Sequence, residues 1–205
     1  MEKKLTIAID VDGVLRDNLQ IMVDLYNKEF QAQMTVDDIK DFRTEITFPK
    51  IEPTTGKTAS EWFFQDHSKE IFLNAKSFEN VAEDIKRLKE VANIVIITYQ
   101  KSFNNKWQTL AWLEANGIEY DGLIFMKDKT KLICDFLIDD NDWNFLGSNA
   151  TIGILINAPY NKGKSIAELK EKSNCNKIIR FNNLHEFVET FINNKDTFLE
   201  KFQVK

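Results

Sequence analysis

Short apolar runs recur along the chain and predict the strands of a sheet. Each run is bounded by polar or charged residues, and each has the length of a buried strand rather than of a helix. The runs comprise residues 5–9, 94–97, 123–126, 136–138, 152–156 and 178–181. We therefore expect a sheet built from these segments.

Apolar residues at helical spacing separate several of these strands. Helices are predicted over residues 81–91, around Trp107, Leu110, Ala111 and Leu113, and as one helix over residues 184–202. Gly117 is expected to end the second of these helices as a C-cap residue. Strands that alternate with helices predict an α/β fold, in which helices cover both faces of a doubly wound parallel sheet.

Residues 18–73 interrupt this alternation, and they contain no strand-like run. One helical face is formed by Leu19, Met22, Val23, Tyr26 and Phe30. Two capping boxes predict helix starts, at Thr35 with Asp38 and at Thr58 with Glu61, on either side of a predicted loop over residues 48–57. We interpret this stretch as a small helical cap inserted after the first strand. The predicted domains are a core of residues 1–17 and 74–205 and a cap of residues 18–73.

Composition and charge narrow the classes of function. The 205 residues, of which 43% are hydrophobic and 29% charged, suit one globular core with a small inserted module. The net charge of −5 predicts no polymeric nucleic acid partner, and no apolar run approaches the roughly 20 residues of a membrane span. Two cysteines predict free thiols in a reducing compartment, and so a cytoplasmic protein. Two isolated histidines predict that any bound metal is a hard, oxygen-ligated ion.

Four aspartates carry the candidate chemistry. Asp10 and Asp12 follow the first strand, and Asp139 and Asp140 follow the fourth. Carboxylates at the ends of buried strands are costly unless a cation or hydrogen bonds meet them. If the two strands are neighbours, like charges converge and a divalent metal is the simplest counter-charge. Helix N-caps or turns are the alternative explanation, but two pairs in the same context favour the metal.

Asp10 and Asp12 can act on one substrate because residues i and i+2 of a strand project to the same side. Gly13 then allows the chain to turn away tightly. Asp10 could attack an electrophile and form a covalent intermediate, while Asp12 protonates the leaving oxygen and later accepts a proton from water. A phosphomonoester suits this division of labour, because a metal and cationic side chains can neutralise its oxygens.

Four motifs resemble those of the haloacid dehalogenase superfamily in its phosphatase branch. The opening motif is DVDGV, and Thr98 matches the hydroxyl of the second motif. Lys129 matches the third-motif lysine, and Asp139-Asp140 the acidic fourth motif. The order of the motifs and the long insertion between the first two also fit. The resemblance covers essentially the whole chain and implies a Rossmannoid core with a cap.

Two longer segments resemble the 5′(3′)-deoxyribonucleotidase family, namely DKTKLICDFLIDD and ILINAPYN. The resemblance implies that Asp10 is the nucleophile and Asp12 the acid/base. It further implies that Mg²⁺ is held by the Asp10 side chain, the Asp12 carbonyl and Asp140. Thr98 and Lys129 would bind the phosphate, and Asp139 would orient Lys129 or a metal-bound water. Aromatic residues of the cap would pack the nucleobase, although most of them are expected in the core of the cap.

Two departures from that family accompany the resemblance. Tyr99-Gln100 follows Thr98 where the family commonly has Ser-Pro, and Asn141-Asp142 stands where a basic residue and proline are usual. We expect a magnesium-dependent phosphomonoesterase that acts on deoxyribonucleoside monophosphates through an aspartyl-phosphate. The alternatives are a phosphatase for a sugar phosphate or another small metabolite, and a catalytically silent binding protein. Oligomeric state is left open, a homodimer included.

Overall fold

A computed structural model describes residues 4–202, without the side chains of the last two, and it contains a six-stranded sheet. The strands are β1 Leu5–Ile9, β2 Ala92–Thr98, β3 Gly122–Phe125, β4 Phe136–Asp139, β5 Ile152–Ile156 and β6 Lys177–Phe181. Their spatial order is β3-β2-β1-β4-β5-β6, and every neighbouring pair is parallel. The predicted doubly wound α/β class is confirmed. Residues 1–3 and 203–205 of the predicted core lie outside the described part.

Ten α-helices are described. They are α1 Asn18–Phe30, α2 Thr44–Thr47, α3 Ile51–Thr55, α4 Ala59–Glu61, α5 Ser68–Phe72, α6 Val81–Val91, α7 Phe103–Ala115, α8 Ile166–Glu171, α9 Leu184–Asn193 and α10 Lys195–Phe202. Short 3₁₀ helices occupy Val36–Asp38, Lys129–Lys131 and Asp142–Phe145, and one π-helical turn occupies Trp62–Asp66. Within the described part of the chain, no helix is both long and apolar enough to cross a membrane.

Two hydrophobic cores lie on opposite faces of the sheet. On one face, Ile7 and Ile9 of β1 pack with buried residues of α6, α7, α9 and α10. On the other face, Ala8 of β1 and Leu137 of β4 pack with Phe145 and with Leu169 of α8. Alternate residues of the central strands thus enter different cores, as the twofold period of a strand requires. The apolar sequence of these strands follows from burial on both sides.

A third hydrophobic cluster belongs mainly to the segment between β1 and α6. Its members from this segment include Met22, Val23, Tyr26, Ile39, Phe48, Ile51, Ala59, Trp62, Phe63, Ile71 and Phe72. Ala158 and Tyr160, from the loop after β5, complete it. Both predicted capping boxes are present, and Asp17 caps α1 by accepting a hydrogen bond from the Gln20 amide at 3.1 Å. The segment is therefore helical and has its own apolar interior.

Three details differ from the prediction. Residues 48–57, expected to be a loop, contain α3, because Pro53 lies in the first turn of that helix, where proline is tolerated. The C-terminal helix is divided after Asn193, and the Asn194 side chain donates to the Thr190 carbonyl at 3.1 Å. In α7, Trp107 and Leu110 are exposed, whereas a polar strip of the helix is buried.

Candidate active site

The polar residues at the strand ends meet at the reversal of strand order. β1 lies between β2 and β4, and Ile9 pairs with Ile96 on one side and Ile138 on the other. Asp10, Thr98 and Asp139 therefore reach the same edge of the sheet. In open α/β sheets, ligands bind at the carboxyl ends of the strands where the order reverses. The fold thus brings the four sequence motifs to one place.

Three carboxylates and one lysine form the centre of the site. Oxygens of Asp10, Asp139 and Asp140 all lie within 4.8 Å of one another, and all three residues are buried. The Lys129 ammonium lies 2.8 Å from Asp10 Oδ2 and 2.8 Å from Asp139 Oδ2. Among the residues that the structure describes, Lys129 is the cation paired with this cluster. Three acids therefore share one positive charge.

The pKa values of Asp10 and Asp140 are raised, as expected for buried acids that share one positive charge. Burial raises the pKa of Asp10 to about 7, an effect that Lys129 opposes and Asp139 and Asp12 reinforce. Burial, with the charges of Asp139 and Asp10, also raises the pKa of Asp140 well above its usual range. Burial alone would lower the pKa of Lys129, but the flanking Asp10 and Asp139 raise it, so the lysine stays charged. An added cation would favour the ionised acids.

The donor set of the cluster fits a hard divalent cation. Carboxylate oxygens are the ligands that Mg²⁺ prefers, and the described cluster contains neither histidine nor cysteine. The Gly13 backbone passes so close that a Cβ at that position would lie 1.8 Å from Asp140 Oδ2, and its φ is +79°. A glycine is therefore required where the chain passes this carboxylate.

The two acids after β4 have different surroundings. Asp139 accepts hydrogen bonds from Lys129 Nζ at 2.8 Å, the Asn141 amide at 2.9 Å and the Asn144 side chain at 2.9 and 3.0 Å. Asp140 Oδ2 accepts a hydrogen bond from the Tyr160 hydroxyl, and no described residue donates to Asp140 Oδ1. Asp139 is thus occupied by protein donors, whereas Asp140 has a free oxygen for a metal.

Asp12 stands apart from the buried cluster. Its side chain is 22% exposed, and its Oδ1 accepts a hydrogen bond from Arg16 Nε at 2.8 Å. Its Oδ2 accepts a hydrogen bond from Gln100 Nε2 at 2.9 Å. A partly exposed carboxylate next to a buried, metal-suited cluster can exchange protons with a leaving group or with water more readily than the enclosed Asp139 and Asp140.

The sequence did not predict that four side chains contact the aspartates of the site, namely Arg16, Gln100, Asn144 and Tyr160. Arg16 carried the best signal, since it lies four residues after Asp12 in a turn where an oppositely charged pair can meet. Tyr160 lies within ILINAPYN, but nothing in its spacing from Asp140 predicts contact. Asn161 fixes the turn after β5 that carries Tyr160, because the Asn161 side chain donates to the Asp140 carbonyl at 2.6 Å and to the Ile156 carbonyl at 2.7 Å.

One exposed aromatic of the helical segment lies near the acids. The ring of Phe42, which is 54% exposed, is 5.3 Å from that of Tyr160, whose hydroxyl contacts Asp140. Trp62 and Phe63 are buried in the third cluster instead. Most aromatics of this segment are therefore core residues, and Phe42 is placed where it could contact a substrate.

Comparison with known proteins identifies relatives along most of the chain. A family model described as "5′ nucleotidase, deoxy (Pyrimidine), cytosolic type C protein" matches residues 3–180. A 5′(3′)-deoxyribonucleotidase of Clostridium acetobutylicum is 28% identical over 170 residues, which are 79% of this chain and 87% of that protein. The segments that resemble deoxyribonucleotidases thus lie in a chain that is similar to a protein of that name.

Solved structures share the fold at low sequence identity. A haloacid dehalogenase-like hydrolase from Streptococcus pneumoniae has a TM-score of 0.60 at 14% identity, over 93% of this chain and all of that one. The L-2-haloacid dehalogenase of Xanthobacter autotrophicus has a TM-score of 0.58 at 11% identity, over 94% of this chain and 99% of that one. These similarities confirm the haloacid dehalogenase-like fold.

Proposed function

We propose that the chain, which belongs to the family of cytosolic type C 5′ nucleotidases described as deoxy (pyrimidine), hydrolyses deoxyribonucleoside monophosphates. Membership of this family makes the chain a phosphoric monoester hydrolase. In our proposal the reaction depends on magnesium and passes through an aspartyl-phosphate. The observation that carries this proposal is the pairing of Asp10 with Lys129 beside Asp139 and Asp140. The name of the Clostridium relative supports the choice of substrate. We also place the protein in the cytoplasm, in keeping with the family's description as cytosolic.

In the first half of the proposed reaction, Asp10 attacks the phosphorus of the substrate. The bond between phosphorus and the ester oxygen breaks, and Asp12 transfers a proton to that oxygen as the nucleoside leaves. Lys129 lies 2.8 Å from Asp10 Oδ2, where its charge can also neutralise the transferred phosphoryl group. Thr98, at the end of β2, would donate a hydrogen bond to the same group.

In the second half, Asp12 accepts a proton from water, and the water oxygen attacks the phosphorus of the aspartyl-phosphate. The bond to Asp10 breaks, so that phosphate leaves and the carboxylate is restored. The side chain of Asp12 is suited to both steps because it is partly exposed, whereas Asp10 is buried.

Magnesium would be held by the Asp10 side chain, the Asp12 carbonyl and Asp140. When bound, it would neutralise charge that develops on the phosphoryl oxygens. Asp139 would act by fixing Lys129, because its oxygens already accept hydrogen bonds from Lys129, Asn141 and Asn144.

Residues 18–73 are proposed to be a cap that selects the substrate, over a core of residues 1–17 and 74–205. The separate apolar interior of this segment supports the division, as does the contact between Phe42 and Tyr160. Phe42 is our candidate for packing against the nucleobase, since an aromatic ring offers a face for stacking.

The decisive experiment is a phosphate-release assay over nucleoside and sugar monophosphates, with and without magnesium. At least one deoxyribonucleoside monophosphate should be hydrolysed only with magnesium. Asp10→Asn should reduce kcat by at least about 10³-fold, since it removes the nucleophile. Asp84→Asn is the matched control, because Asp84 is also buried but pairs with His185 and Arg87 rather than with the residues of the site. Full activity of Asp10→Asn would contradict the mechanism.

A sugar phosphate or other small metabolite is the second candidate substrate. The observation that favours it is Gln100, which lies where related nucleotidases have proline and which contacts Asp12. Under this alternative, nucleotides stay intact in the panel while another phosphomonoester is hydrolysed. A silent binding protein would hydrolyse nothing and would gain no thermal stability from magnesium.

A further inference from the structure

Arg16 is fully buried at the junction of three elements. Its Nη1 donates to the Phe72 carbonyl, at the end of α5, at 2.5 Å, and its Nη2 donates to Thr109 of α7 at 3.3 Å. The guanidinium also lies 5.2 Å from the ring centre of Phe72 and 5.1 Å from that of Trp112. A planar group held between two rings and several acceptors has little freedom to rotate.

The same guanidinium binds the carboxylate of Asp12. Its Nε and Nη2 both lie 2.8 Å from Asp12 Oδ1, while Gln100 donates to Asp12 Oδ2. The turn between the two residues is closed by a hydrogen bond from the Gly13 amide to the Arg16 carbonyl at 3.0 Å. Each oxygen of Asp12 is therefore held by a buried side chain.

We propose that Arg16, assisted by Gln100, is a positioning residue that fixes the carboxylate of Asp12 for proton transfer. This inference rests on the proposed function, in which Asp12 is the acid/base. Proton transfer requires a carboxylate within hydrogen-bond reach of the leaving oxygen. Because Arg16 also binds the end of α5, the position of Asp12 is tied to the helical segment that covers the site.

The test compares two leaving groups in the first turnover. A deoxynucleoside needs a proton as it leaves, whereas the nitrophenolate of p-nitrophenyl phosphate does not. Arg16→Lys keeps the charge but loses the fork that reaches both Asp12 and Phe72. We expect it to slow first-turnover nucleoside release by roughly 10- to 100-fold, part of the effect of general acid catalysis, with KM nearly unchanged. Nitrophenolate release should be slowed much less.

Gln100→Leu provides a second variant that leaves no buried charge unpaired. Like Arg16→Lys, it should slow nucleoside release more than nitrophenolate release. If Arg16→Lys does not fold, Gln100→Leu alone tests the proposal. Arg87→Gln is the control, because Arg87 pairs with Glu189 and Asp84 rather than with Asp12 or Gln100. Equal slowing of both leaving groups, or no slowing in either folded variant, would overturn the proposal.

Failure of the proposed function looks different in this experiment. In that case the wild-type protein releases no nucleoside, or Asp10→Asn releases it as fast as wild type does. Failure of the positioning role alone leaves wild type active and Asp10→Asn inactive, with an unchanged ratio of release rates in Arg16→Lys and Gln100→Leu.

Discussion

The acidic residues of the site differ in the side chains that contact them. Asp139 accepts hydrogen bonds from Lys129, Asn141 and Asn144, and so its oxygens are already occupied by donors of the protein. Among the described residues, the side chain of Asp140 has one hydrogen-bond donor, the Tyr160 hydroxyl. Removing Asp140, the proposed metal ligand, and removing Asp139, which holds Lys129, should therefore have separable effects.

We predict that magnesium stabilises the wild-type protein and that Asp140→Asn abolishes this stabilisation. A ligand that binds only the folded state raises its stability by about 2.7 kcal/mol at 100 times its Kd. The thermal unfolding midpoint, measured across a magnesium titration, reports this gain. Asn144→Ala is the matched variant, since it removes a partner of Asp139 and leaves the proposed ligands in place. An unchanged magnesium response in Asp140→Asn would contradict its assignment as a ligand.

The residues that sequence reasoning found differ in kind from those it missed. Asp10 and Asp139 are visible in the sequence because each interrupts an apolar run at a strand end. Arg16, Gln100 and Asn144 are ordinary polar residues in turns and loops, and their partners are set by tertiary packing. Gln100 stood out only as a departure from related sequences.

At the scale of elements, α7 shows how packing can override a hydrophobic pattern. Trp107 and Leu110 suggested the buried side of this helix, yet the buried side carries Asn105, Gln108 and Thr109. These polar residues face the helical segment: Asn105 Nδ2 donates to the Phe64 carbonyl at 3.0 Å, and Gln108 Nε2 to Ser68 Oγ at 3.4 Å. The strands, in contrast, were readable from their apolar runs because both faces of the sheet are buried.

We predict that Asn105→Ala lowers the free energy of unfolding by roughly 1–3 kcal/mol, because it leaves the Phe64 carbonyl without its donor. Urea denaturation measures this loss. Asn104→Ala is the control from the same helix, since Asn104 is exposed and its side chain donates to the Ser68 hydroxyl at 3.3 Å rather than to a backbone carbonyl. Equal losses in the two variants would argue against a special role for the buried polar strip.

At the scale of the whole molecule, concentrating acids at one edge of the sheet makes stability depend on pH. Burial raises the pKa of Asp10 from about 4 in an unfolded chain to about 7 in the folded protein. Its contribution to stability is therefore fully present below about pH 4 and is lost as the pH rises through about 7. Magnesium should offset this loss by pairing with the ionised carboxylates.

We predict that the metal-free wild-type protein loses stability relative to Asp10→Asn as the pH rises from about 4 to about 8, because asparagine does not titrate. Urea unfolding of both proteins in chelator measures the difference. Asp41→Asn should show the opposite trend at lower pH, since hydrogen bonds from Arg43 lower the pKa of the partly exposed Asp41 to about 2, and its contribution to stability is lost as the pH falls from about 4 through about 2. A difference between wild type and Asp10→Asn that does not change with pH would contradict the prediction.

The turn after β5 has a consequence for protein engineering. Ala158 and Tyr160 lie outside residues 18–73 in the sequence, yet they pack in the apolar interior of that helical segment. A chimera that imports a relative's residues 18–73 would place foreign side chains on these two residues. If this segment selects the substrate as proposed, exchange of substrate preference between relatives should succeed more often when residues 157–161 are transferred with it, so the transplantable unit is discontinuous.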